Sequence, residues 1–295
     1  MNNLERKRKI VKNINVILII VMVLVILMIA GIMYLIGIGY DVNLKLTLIP
    51  MVLVILIILL ILKLYKSKFA REYKTKYINK ALKNEFTNFS YNPKGHLDEN
   101  VLELLDWMPE KNFLSDYQKR VNVSDTLEGK VKSSYFKQVS LSVKEYRREE
   151  NLIGKGYHTK VNVLFDGIVT EFNLNKSYNN ILLETDDLSI SYLKNKIKLE
   201  SNKFNKIFKV SADDEQDAFL YLTPKVMEKI EYLYSEVISS TFFILISKDK
   251  LYLGQNYASG LFEPNIKEKI DEKYIIDDIK GTMSYVKEVM KEMGL

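Results

Sequence analysis

The sequence predicts an α+β protein, with an N-terminal transmembrane helical hairpin followed by a mixed α/β cytoplasmic domain whose sheet is mainly antiparallel. Three observations predict this. Two long apolar runs, residues 16–40 and 46–65, stand near the N-terminus, and Lys63 is the only charged residue within either. Segments around Phe136–Val143 and His158–Phe172 alternate apolar and polar residues at the period of a strand. Stretches before and after them repeat apolar residues every three to four positions, as helices do.

The first run, 16–40, exceeds the roughly 20 residues needed to cross a bilayer core. It is also too long for the h-region of a cleaved signal peptide, and it leads directly into another span. The second run reaches its spanning length at residue 65 if Lys63 extends its ammonium to the interface. Pro50 falls in the second turn of that run, where few internal N–H bonds are lost and a mild kink is expected. Arg6, Lys7, Arg8, Lys9 and Lys12 precede the first span, and Lys63, Lys66, Lys68, Arg71, Lys74, Lys76 and Lys80 flank the second, whereas the connecting loop has only Lys45. Basic flanks stay on the cytoplasmic side, so a two-pass cell-membrane protein with both termini cytoplasmic is expected.

The expected order is then a basic tail (1–15), the hairpin (16–65), an amphipathic stalk helix (66–85) and a cytoplasmic α+β domain (86–295). In the stalk, Phe69, Tyr73, Tyr77, Ala81, Leu82 and Phe86 recur at helical spacing with cations between them. The chain has 43 Lys plus Arg against 37 Asp plus Glu. The basic excess lies before residue 80, and the remainder is net acidic. An acidic domain disfavours a nucleic-acid partner, and the basic stalk reads as a positive-inside flank.

Further along, Val101, Leu102, Leu104, Leu105 and Met108 predict a short helix ending near Pro109. Gly154 and Gly156, between the two strand signals, predict a turn. Thr223 as N-cap and Pro224 at the first helical position open another helix, with Val226, Met227, Ile230 and Leu233 inward. Residues 241–246 read as a buried strand, 247–250 as a turn, and 251–253 as the hairpin partner. Residues 266–293 read as a terminal helix, loosened at Gly281 and closed at Gly294.

The chemistry is sparse. Without cysteine, disulfides, thiolate metal sites and cysteine nucleophiles are excluded, and only His96 and His158 carry imidazole. Asp213, Asp214, Glu215 and Asp217 form the densest acidic group. Asp213 or Asp214 capping a short helix explains it, with Asp213 and Asp214 as weak metal ligands the alternative. No nucleophile elbow and no glycine-rich phosphate loop occurs. No cofactor is expected.

A set of residues nevertheless recurs in a recognisable pattern: Phe165, Asp166 and Gly167; Phe172, Asn173, Asn175 and Lys176; Glu200, Phe204, Phe208, Val210, Asp214, Ala218, Tyr221, Leu222, Thr223 and Pro224; Leu251 and Tyr252; and Leu261, Phe262, Glu263 and Pro264. A weaker set is Asp125, Leu127, Glu128 and Gly129. In this pattern the chain resembles a bacterial membrane-anchored family known only as domain of unknown function three-one-three-seven, departing from it at Asp166 and Asn175. The resemblance implies a cytoplasmic domain behind a transmembrane hairpin, and no activity. Phe165, Gly167, Phe204, Phe208, Tyr221, Thr223, Pro224, Phe262 and Pro264 read as structural: Gly167 permitting a bulge or tight crossing, Phe204 and Phe208 sharing one helix face, Pro264 starting the last helix. Asn175, Lys176, Glu200 and Glu263 have no evident packing role and are the candidate functional surface. The expected function is a non-catalytic binding or scaffold module for a protein or lipid partner beside the bilayer. The alternatives are an accessory subunit of a membrane transporter or assembly, and a divalent-metal-dependent enzyme using Asp213, Asp214 and Glu200.

Overall fold

The structure, a computed structural model, describes residues 3–38, 44–83, 86–109, 117–131, 134–150, 157–185, 193, 195–237, 241–256 and 262–295; at 35, 36, 44–51, 54, 87 and 150 it describes the backbone alone. The chain divides into two compact units, Met1–Tyr77 with Glu263–Ile275, and Ile78–Phe262 with Ile276–Leu295. Residues Glu263–Ile275 of the expected 86–295 domain thus group with the N-terminal helices.

In the first unit, helix α1 (Asn3–Gly37) continues well below the expected span start. Helix α2 (Leu44–Leu82) joins the second apolar run and the stalk in one element, its last residues belonging to the second unit. Among the described residues one helix, Asn3–Tyr34, is long and apolar enough to cross a membrane, and none of its most apolar window is buried. The second run, 46–65, lies in α2, with many of its side chains outside the described residues. Below the apolar stretch the character changes. Leu4 and Val11 are buried, and Arg8 donates to Glu5 at 2.6 and 3.0 Å. A further N–H of Arg8 donates to the Ile266 carbonyl at 2.8 Å, and the Ile270 N–H donates to Glu5 at 3.3 Å. Lys7 pairs with Glu72, and Lys74 with Glu263.

These bonds correct the expectation for the terminal helix. Residues 263–271 are not helical, and Pro264 does not start helix α7, which runs Glu272–Met293. The backbone groups of Ile266, Lys267 and Ile270 are committed to Arg8 and Glu5. Asp271 then caps the real start, accepting from the N–H groups of Lys273 and Tyr274 at 3.0 and 3.2 Å.

The second unit holds an antiparallel sheet of β1 (Thr87–Lys94), β2 (Tyr117–Val131), β3 (Ser134–Glu150), β4 (Tyr157–Thr185), β5 (Asn195–Ile197), β6 (Phe208–Ala212) and β7 (Phe242–Asn256). Strand order is β1-β2-β3-β4-β6-β5, with β7 also on β4. Strand β4 is the axis: its first half pairs with β3, its last residues with β6, and Gly167–Glu184 pair with β7 along the other edge. Short helices α3 (Glu99–Leu104), α4 (Asn202–Ile207), α5 (Glu215–Tyr221) and α6 (Pro224–Ser235) complete the unit with most of α7. On one sheet face Trp107, Phe165 and Phe243 meet with ring centres 5.0 to 5.7 Å apart, among buried aliphatic residues of α3, β3 and β4.

Two further expectations change. Residues 242–256 form one continuous strand, not a hairpin, because both halves pair with β4. The polar stretch between them is absorbed by irregular register, with Lys248 at φ 56°. Phe204 and Phe208 do not share a helix: Phe204 is in α4, while Phe208, with φ −120° and ψ 135°, starts β6. Their rings still meet, tilted by 43°, with centres 4.8 Å apart. The expected Gly154–Gly156 turn and Leu261 lie outside the described residues.

Candidate functional site

Asn175 and Lys176 stand where the pairing of β4 with β7 loses register, between Asn173↔Lys250 and Tyr178↔Lys248. A strand that bulges there turns consecutive side chains outward, and both are exposed. They border a cavity of about 180 Å³ with Tyr178, Tyr221, Val226 and Lys229. The Lys176 ammonium lies 5.5 Å from the centre of the Tyr178 ring, and Tyr178 meets Tyr221 edge-on at 5.1 Å. Burial, with Tyr178 adding to it, holds the Tyr221 phenol well above its ordinary pKa. Lys229 donates to the Glu292 carbonyl. The cavity thus gathers two phenols and two lysines beside Asn175 and an apolar wall that includes Val226 and Met293.

The acidic cluster next to it serves the fold. The Asp214 carboxylate accepts from the N–H groups of Gln216 and Asp217 at 2.7 and 3.3 Å as the N-cap of α5. Asp213 accepts from the Asn180 side chain at 2.6 Å, and Asp217 from the Asn179 N–H at 2.8 Å. Among the described residues, no group of three or more acidic or histidine side chains is placed to hold a metal ion.

Glu200 is exposed in the tight joint between β5 and α4. Asn205 braces that joint by bonding both the N–H and the carbonyl of Leu199, and Ser201 caps α4. Glu263 lies in the first unit, where it pairs with Lys74, whose side chain is only 4% exposed. Asn175 and Lys176 are the only two of the four candidates that share one described pocket. The motif residues read as structural are packed: Phe165, Gly167, Phe204, Phe208, Tyr221 and Phe262 are buried or tightly enclosed. Thr223 caps α6, with Pro224 at its first turn.

Sequence reasoning missed Tyr178 and Lys229 at the cavity and the set Glu5, Arg8 and Lys74 in the first unit. No local signal marks the first pair, which only the fold brings beside Tyr221. For the second, a carboxylate within an otherwise basic tail was the available signal, since Glu5 has no other anionic neighbour there.

The arrangement defines a class: an antiparallel α+β domain carried behind a long apolar N-terminal helix. Residues 163–295, which include most of β4 and everything after it, match the model of the family described as "Protein of unknown function (DUF3137)". No protein of curated function matches the chain. Among solved structures, the crystal structure of the mycobacterial trehalose monomycolate transport factor A, TtfA, is similar at 8% identity with a TM-score of 0.35, covering 74% of this chain and 94% of that one.

Proposed function

We propose that this protein is a two-pass membrane-anchored binding module, with both termini cytoplasmic, that holds a protein or lipid partner and performs no catalysis. The observation that carries the anchor is the contrast along α1. One face of its first turns is buried and hydrogen-bonded to the backbone of Ile266 and Ile270, whereas its apolar continuation has no buried residue in its most apolar window, with Ile19, Ile26 and Leu27 each 62% exposed. Apolar surface of that extent is satisfied by a bilayer or by other apolar helices. The binding role is supported by the cavity beside Asn175 and Lys176. Burial holds its phenol above the ordinary pKa, and two lysines stand beside it, a set that suits an anionic or carbonyl-bearing group.

The test is photo-crosslinking of the full chain in native membranes, compared with Asn175→Ala/Lys176→Ala. A crosslinked partner lost in the double variant, with both chains resistant to carbonate extraction, is the expected result. Extraction of the wild-type chain overturns the anchor, and an unchanged crosslink removes binding from the cavity. The accessory-subunit reading is favoured by the same unburied α1 surface. It predicts instead a partner captured from a crosslinker at Ile26 and indifferent to the cavity variant.

A further inference from the structure

Beyond the buried core, β2, β3 and β4 continue as a three-stranded ribbon whose two faces differ. Gln118 and Arg120 pair with Tyr146 and Lys144, which pair in turn with Val161 and Val163. Directly opposed residues of antiparallel strands project to one side, so these residues share a face with Arg148 and Tyr157. On the opposite face the charges are matched. Lys119 pairs with Asp106 at 3.5 Å, Arg147 with Glu145 at 3.3 Å, and Lys160 with Glu149 at 3.4 Å.

The first face is built otherwise. Val161 and Val163 are 50% and 52% exposed, and Tyr157 57%. The Arg120 guanidinium lies 4.4 Å from the Tyr146 ring centre, and that of Arg148 lies 4.3 Å from the Tyr157 ring centre. Among the described residues no ion pair joins Arg120, Lys144 or Arg148 to a carboxylate. We infer that this ribbon face docks on an anionic lipid surface, with the guanidinium and ammonium groups on headgroup phosphates and Val161, Val163 and Tyr157 at the headgroup boundary. The inference rests on the anchor proposed above, which keeps a bilayer at high local concentration.

Charge and shape choose the occupant. Each cation near an anionic leaflet is attracted, and guanidinium matches phosphate in a bidentate fork. Exposed valines and tyrosine suit the apolar boundary beneath the headgroups. A single-stranded nucleic acid would stack its bases on free aromatic faces. Here Tyr146 and Tyr157 already carry a guanidinium on theirs.

The chain has no cysteine, so one introduced thiol reports from one place. Full-length Val161→Cys, labelled with an environment-sensitive dye, is reconstituted in phosphatidylcholine discs with and without phosphatidylglycerol. Asn162→Cys, exposed on the opposite face of the same strand, is the control. The expected result is a blue shift at 161 only in the anionic discs, reversed by salt, absent at 162, and lost in Arg120→Gln/Arg148→Gln. Silence at 161 in discs that hold the chain overturns the lipid surface and leaves the anchor standing. Failure of the chain to enter discs overturns both. A shift at 161 that appears only on adding an acidic protein fraction reassigns the face and overturns the lipid occupant.

Discussion

Gly167 illustrates how a single position is set by its neighbours. Strand β4 is paired on both sides there, with Leu141 and with Asn256. A Cβ at Gly167 would stand 2.1 Å from the Gln255 carbonyl oxygen and 2.8 Å from the Asn256 Cα, both backbone atoms that cannot swing away. Gly167→Ala is therefore expected to destabilise the domain by about 1 to 3 kcal/mol, read as a lowered urea midpoint. Gly281, inside α7, is the opposite case, since nothing lies within 4 Å of its absent Cβ. Gly281→Ala is expected to raise the midpoint by about 0.5 to 1 kcal/mol, because alanine lowers the entropy lost on forming helix. A glycine-to-alanine pair with equal effects would contradict the packing described for β4. From sequence, Gly167 was legible as a position needing close approach. The loosening expected at Gly281 has no counterpart in the continuous helix.

Elements were legible where local chemistry decides them and opaque where pairing does. Thr223 and Pro224 announce α6 within four residues, and the structure begins the helix there. Strands β1 and β2 carry no alternation along their full length, and β5 and β6, at three and five residues, are too short for one to stand out. Long β4 continues past the bulge at Asn175 through a stretch of Asn, Lys and Ser that reads as loop in isolation. Nor does sequence alone tell a hairpin from the single strand β7, because the difference lies in β4, which accepts both halves. At the candidate site, Asn175 and Lys176 were legible, while Tyr178 and Lys229 reach it only through the fold. The caps allow a prediction at this scale. Asp214→Ala removes the acceptor for two N–H groups at the start of α5, and is expected to cost about 1 kcal/mol by thermal or urea unfolding. The loss should be the same with and without added Mg²⁺ or Ca²⁺. Stabilisation of the wild-type chain by either cation, absent in the variant, would instead make the acidic cluster a metal site.

For the molecule as a whole, four buried or half-buried tyrosines set an alkaline limit. Burial first, and then the Glu128 carboxylate, push the Tyr135 phenol up to about 12, and burial holds Tyr221, Tyr252 and Tyr285 above their ordinary range. A phenol whose pKa is higher folded than unfolded binds its proton more tightly in the folded state. Its contribution is fully present below the unfolded value of 10.0 and disappears as pH rises through the folded one. Tyrosinate absorbance from these four phenols should accordingly appear only together with loss of circular dichroism, near or above pH 12. Complete titration in one step with the dichroism intact would mean that these phenols are open to solvent.

The cations around the apolar helices serve twice in this design. Lys7, Arg8 and Lys74 belong to the basic flanks that would orient the proposed spans; Lys7 and Arg8 also pair with Glu72 and Glu5, and Lys74 with Glu263, while Arg8 holds the Ile266 carbonyl. If both roles hold, the segment held at Ile266 and the basic flanks lie on one side of the membrane, and that side is the cytoplasm. Single cysteines in the cysteine-free chain test it. In intact cells a membrane-impermeant maleimide should label Asn43→Cys, between the two apolar runs of the sequence, and spare Asp249→Cys until the cells are opened. Labelling of Asp249→Cys alone would invert the topology. Protection of both would place the second apolar run on the inner side, leaving α1 with its N-terminus outside or not inserted. Either outcome would separate the ion pairs at the helix bases from the positive-inside rule and leave them as packing alone.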